Sequence, residues 1–162
     1  METSAPGGTW ASLRRFVVML LFAVWFGGFT FYAVVVVPTG HHVLRSKVRQ
    51  GFITQQVTNK LNALGVVTLA ALAWQVVAVR RGKSRRWFRV ASISWMALAV
   101  TLAVLFWLHP HLDALLDPTA RSVIDDEKFY ALHRWYLIVA TVQWLAGMIH
   151  AATLLTESPS QS

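Results

Sequence analysis

Five of the six histidines, His41, His42, His109, His111 and His133, sit at the ends of apolar stretches. Imidazole is a good ligand for zinc or copper, and Asp113, Asp117 or Asp126 could complete a coordination sphere. The chemistry to test is therefore a copper or zinc site where three segment ends meet. Against it stands the spacing: no His-x-x-x-His pair occurs, and His109-Pro110-His111 places its two rings on no common helical face. Histidines scattered in a headgroup region account for the same residues. Haem would need two imidazoles at similar depth on facing helices, for which only His109 with His133 qualifies. His150, deep in the last apolar stretch, finds no such partner. No cofactor is expected unless the outer histidines converge on a metal.

Other polar or small residues in apolar surroundings have simpler readings. Gln143 lies near the middle of the last stretch, beside Thr141 and Gly147, and suits either an interhelical hydrogen bond or the lining of a pathway. Gly27, Gly28, Gly65 and Gly147 allow close helix contact, within one bundle or between subunits, so a homo-oligomer or a membrane partner is open. There is no cysteine, which excludes disulfides, thiolate metal sites and cysteine nucleophiles. No phosphate loop, serine-histidine-acid arrangement or paired-carboxylate constellation is legible. The expectation is a protein that is not an enzyme.

The elements that position these residues follow from charge-free runs. Phe16 to Pro38 carries no charged side chain, enough to cross a bilayer as a helix, and Pro38-Thr39-Gly40 reads as its stop. Leu44, Val48, Phe52, Ile53, Val57 and Leu61 then recur at helical spacing with basic and amide residues between them, the pattern of an amphipathic helix in the headgroup region, with a bend at Gly51. Leu61 to Val79 spans about 28 Å at 1.5 Å per residue. Trp87 to Leu108 forms a third span, and Ser122 with Asp125 has the form of a capping box for a fourth helix. The fold class is all-α: an integral membrane four-helix transmembrane bundle with an amphipathic helix after the first span. Residues 1–11 read as a disordered tail. Residues 12–156 form the four-span domain, with spans of about 14–38, 61–80, 87–108 and 133–156. Residues 157–162 read as a second disordered tail.

Composition agrees. Of 162 residues, 56% are hydrophobic and 14% charged, well below the charge of soluble domains. The net charge of +8 does not point to nucleic acid, because the basic residues flank apolar spans. Arg14-Arg15 before so long an apolar run reads as the start of a retained helix, not as a signal sequence. With four spans, both termini and the connection 80–89 share one side. That connection holds Arg80, Arg81, Lys83, Arg85, Arg86 and Arg89, a match for anionic lipid. The expected location is a bacterial-type inner or plasma membrane, both termini cytoplasmic and the five histidines outside.

Trp25-Phe26-Gly27-Gly28-Phe29-Thr30-Phe31-Tyr32, closing at Val37-Pro38, resembles the first helix of the four-helix membrane family of transmembrane protein 205 and its bacterial relatives. That family shows Trp-x-Gly-Gly, then aromatics, then a proline. Phe129-Tyr130-Ala131-Leu132-His133 is similar to its Phe-x-x-Leu-His before the last helix, and the likeness covers roughly residues 14–155. The chain departs at Arg134-Trp135-Tyr136, where the family often has a small residue. The resemblance implies an integral membrane protein of poorly defined activity, loosely linked to metal or drug tolerance. The copper-resistance membrane proteins, with histidines on outer helix ends, are a fainter likeness.

Overall fold

The computed structural model describes residues 6–117, 119, 120 and 122–156. Among them, four helical spans are long and apolar enough to cross a bilayer: Thr9–Leu44, Val48–Gly82, Arg85–Asp113 and Asp126–Leu155. The protein is a multi-pass membrane protein. Leu20, Val24, Val66, Val77, Ile93, Val100, Val142 and Ile149 point outward, while Thr68, Gln75, Ser94, Gln143 and His150 are buried. An outer surface this apolar suits hydrocarbon, not water.

The first span differs from its sequence reading. Helix α1 (Pro6–Phe31) starts at Pro6, so residues 6–11 are helical, and it does not stop at Pro38. A π-helical turn, Tyr32–Val36, leads into α2 (Val37–Leu44), in which Pro38 occupies the first turn. Proline has no N–H to give, and its ring crowds the carbonyl four residues back. Widening the preceding turn relieves both, and the Val37 N–H donates to the Tyr32 carbonyl, five residues back.

The connection expected over residues 39–60 shrinks to two residues. Arg45 adopts a left-handed conformation (φ 47°), and Ser46 caps α3 (Lys47–Val79) by accepting from the Arg49 N–H. The amphipathic stretch is helical and runs through Gly51 into the second span, making α3 33 residues long. After a 3₁₀ turn, Arg80–Gly82, Ser84 caps α4 (Arg85–Asp113). Two short strands, β1 (Leu116–Asp117) and β2 (Ser122–Val123), pair antiparallel with Leu116 opposite Val123. Ser122 is thus in a strand and does not cap the last helix. Asp125 does, accepting from the Lys128 N–H at 3.0 Å, with Asp126 and Glu127 in the first turn of α5 (Asp126–Leu155).

In the bundle α1 packs on α3, α3 on α4 and α4 most extensively on α5, while α1 meets α5 sparsely. The central core joins Val18, Phe22, Trp25, Leu69, Leu72, Leu98, Leu102 and Ala146. A second cluster, Leu105, Leu108, Leu112 and Tyr136, lies toward the strand hairpin. Gly65 lets the Trp25 indole in: a Cβ there would lie 2.8 Å from Nε1 and 3.2 Å from Leu102 Cδ2. A Cβ at Gly147 would fall on the Phe26 ring, and one at Gly28 would meet Leu61 at 3.4 Å, whereas Gly27 has nothing within 4 Å.

Replacing Gly65→Val should therefore destabilise the bundle by about 1–3 kcal/mol, the usual cost of overpacking. Gly27→Ala should leave stability within about 0.5 kcal/mol. Unfolding in mixed micelles with increasing denaturing detergent reads both.

Candidate functional site

Between the core and the hairpin end, the interior of the bundle becomes polar. The π turn presents Tyr32, whose hydroxyl meets Thr54 Oγ1 at 2.8 Å. Thr54, Thr58 and Asn62 follow at four-residue spacing on one face of α3, and Thr58 Oγ1 donates to the Thr54 carbonyl at 2.7 Å. From α5 comes Tyr136, buried, with its hydroxyl in reach of the Asn62 and Thr58 side chains and with Tyr32 and Asp113 nearby. The last turn of α4 contributes His109 and Asp113, with Nε2 and Oδ2 3.5 Å apart, longer than a good hydrogen bond. Gln143 lies two turns further along α5, 3% exposed. The hairpin roofs this end: Leu115 and Leu116 are buried, and Leu116 reaches Gly51.

The layer is rich in unmet hydrogen-bonding capacity. Asn62 Nδ2, His109 Nε2, Gln143 Oε1 and both amide atoms of Gln50 are buried without a hydrogen-bond partner in the protein. The Gln50 amide lies over Gly40, where any Cβ would strike it. Orphaned polar groups at membrane depth cost several kcal/mol each by order of magnitude, so these atoms call for water or another polar partner.

The five histidines are not drawn into one group, although His41 and His133 come near enough to interact electrostatically. His41 and His42 are exposed on α2. His111 donates from Nδ1 to the Trp107 carbonyl at 2.7 Å and leans on the Trp107 ring. His133 stacks on Phe129 with ring centroids 5.9 Å apart. Only His109, among the described residues, has a carboxylate beside it. Among the described residues, no set of three or more His, Asp or Glu side chains is placed to hold a metal ion. Asp117 is occupied with the Thr119 and Ala120 N–H groups, and Asp125 with its cap.

The opposite end, rich in arginine, carries a second set of polar contacts that the sequence reading did not foresee. His150, fully buried, meets Ser94 Oγ through Nδ1 at 2.8 Å, and its Nε2 has no partner. Arg14 Nε donates to Gln75 Oε1 at 2.9 Å, and the Trp95 indole donates to the Leu69 carbonyl. A serine beside a histidine invites comparison with a hydrolytic pair, yet every described carboxylate lies at the hairpin end, and none orients this imidazole. Between α1 and α5, Thr30 Oγ1 accepts from the Trp144 indole at 3.1 Å, and Phe26 stacks on both Phe22 and Trp144.

One signal could have revealed much of this. Thr54, Thr58, Asn62, Gly65, Thr68, Leu72 and Gln75 recur every three or four residues, a polar and small seam on an otherwise apolar helix. Comparison of the chain with family models, with curated proteins and with solved structures finds no match.

Ser94→Ala removes the hydroxyl paired with the buried imidazole and should cost about 1–3 kcal/mol. In a His150→Leu background the same change should cost far less, so a double-mutant cycle in micelles should return a coupling of about 0.5–3 kcal/mol.

Proposed function

We propose that this protein is a non-enzymatic, membrane-embedded binding unit whose working part is the polar layer of Tyr32, Thr54, Thr58, Asn62 and Tyr136. The observation that carries the reading is the set of buried, unpartnered atoms around it: Asn62 Nδ2, His109 Nε2 and Gln143 Oε1. The lining consists of hydroxyls and amides, with one carboxylate, Asp113, toward the hairpin end. Such a site suits a small neutral or cationic polar solute that exchanges water for hydroxyl and amide partners. Beneath it lies the packed belt of Phe22, Trp25, Leu69, Leu72, Leu98 and Leu102, which favours a blind site over a conducting path. Against hydrolysis speaks the burial of the Ser94–His150 pair, beside which no described carboxylate lies.

The orientation that fits is the hairpin outside and both termini in the cytoplasm, because the end carrying Arg80 to Arg89 faces the side that retains dense positive charge. Membership in the family of transmembrane protein 205 is proposed on the Trp25 to Pro38 and Phe129 to His133 motifs alone. A copper- or zinc-handling role ranks second. It draws on His109 with Asp113, two ligands where a structural site needs four, and stoichiometric metal in the purified protein would reverse that order.

The chain has no cysteine, so single substitutions give clean probes. Thr58→Cys and Asn62→Cys should react with a small membrane-impermeant thiol reagent added outside, and Leu72→Cys should not. Equal inertness of all three would overturn the proposal. In the same assay Thr119→Cys should label in intact cells and Ser84→Cys only after permeabilisation; the reverse pattern would invert the topology.

A further inference from the structure

At the basic end, a groove of about 420 Å³ runs down the outside of the bundle between the start of α4 and the end of α5. Arg86, Trp87 and Val90 form one wall, and Ile149, Ala152 and Thr156 the other. Its floor is fixed: the Trp87 indole donates across to the Thr153 carbonyl at 3.2 Å, tying α4 to α5, and Lys83 Nζ stands 5.6 Å from the Trp87 ring centroid. Val90 and Ile149 are open to the bilayer side. The groove is thus apolar along its length and cationic at its mouth.

Positive charge is dense at this end. Arg14, Arg15, Arg80, Arg81, Lys83, Arg85, Arg86 and Arg89 gather here, and among the described residues no carboxylate does. Among the described residues Arg14 contacts Gln75, Arg80 the Phe88 ring and Lys83 the Trp87 ring, all neutral groups. An anion entering the groove would meet Arg86 at its mouth. A second copy docked here would bring the same cations against one another, which like-charge repulsion disfavours. An occupant with one negative head and a hydrocarbon tail matches both parts of the groove.

We infer that this groove is a site for one anionic glycerophospholipid, its phosphate held by Arg86 at the mouth and an acyl chain laid along Val90, Ile149 and Ala152. The inference is independent of the polar layer at the other end and of which leaflet the basic end faces. Arg86 supplies a charge-assisted contact to phosphate, and the apolar walls select a lipid over a soluble anion. A diffuse basic surface would attract anionic lipid without regard to the groove; a built site depends on both of its parts.

The test is native mass spectrometry of the full chain released from phosphatidylcholine nanodiscs containing phosphatidylglycerol. One phosphatidylglycerol should be retained in preference to phosphatidylcholine. Arg86→Gln should weaken that preference about fivefold, the worth of one surface cation, and Arg81→Gln, on the 3₁₀ turn outside the groove, should change it less than about twofold. Ala152→Trp plugs the groove without altering charge and should abolish retention. Val90→Trp plugs it from the facing wall, so one plugged variant stands if the other fails to fold. Equal losses in Arg81→Gln and Arg86→Gln, unchanged retention in a folded plugged variant, or displacement of the lipid by millimolar inorganic phosphate would each overturn the assignment.

Discussion

Helices surrounded by lipid gain little by trading one apolar neighbour for another, so their association rests on close packing and on polar contacts between them. In this bundle that constraint falls on α3. Its inward seam touches each of the other long helices: Gly65 admits Trp25 of α1 and Leu102 of α4, Gln75 accepts from Arg14, and the Leu69 carbonyl accepts from Trp95. Thr54 holds Tyr32, and Asn62 faces Tyr136 of α5. Small residues set the distances along this seam and polar ones set the register. Without it, the long apolar surfaces of four helices would have no reason to choose one arrangement.

The same seam divides the interior into unlike parts. Its middle is dry and closely filled, from Leu69 and Leu72 across to Leu98 and Leu102. Toward the hairpin it becomes hydroxyl and amide, with more polar atoms than partners. The π turn at Tyr32–Val36 belongs to that part: it accommodates Pro38 and at the same time sets the turn from which Tyr32 reaches Thr54. Turns of this kind recur at functional sites because an extra residue per turn re-aims a side chain. Toward the basic end Arg14 pairs with Gln75 and Ser94 with His150, with the His150 Nε2 left without a partner.

Contact between α1 and α5 is of another kind. Few backbone segments approach there, and the space is taken by Phe22, Phe26 and Trp144, with one indole hydrogen bond to Thr30. Gly147 is small because Phe26 lies on it. The bundle thus closes on aromatic side chains at this seam and on backbone proximity at the others.

The amino-acid sequence by itself determined the class, the number of spans and the charge asymmetry, because twenty or so apolar residues without charge have one stable state in a bilayer. Of the glycines it marked, Gly65 and Gly147 lie against a neighbouring ring, while Gly27 has nothing within 4 Å. Helix limits were less legible: Pro38 suggested a stop, but a proline in the first turn of a helix costs little once the turn before it widens. The cap passed from Ser122 to Asp125 because strand pairing with Asp117 engaged Ser122 first. Which polar residues meet was a matter for tertiary structure alone. Ser94 and His150 are 56 residues apart, and Tyr32 and Thr54 are 22 apart. Five histidines near span ends were visible as a set, yet whether they share a point depends on the rotation of each helix about its axis. That rotation is fixed by packing against α3, a property of the assembled bundle that no single segment carries.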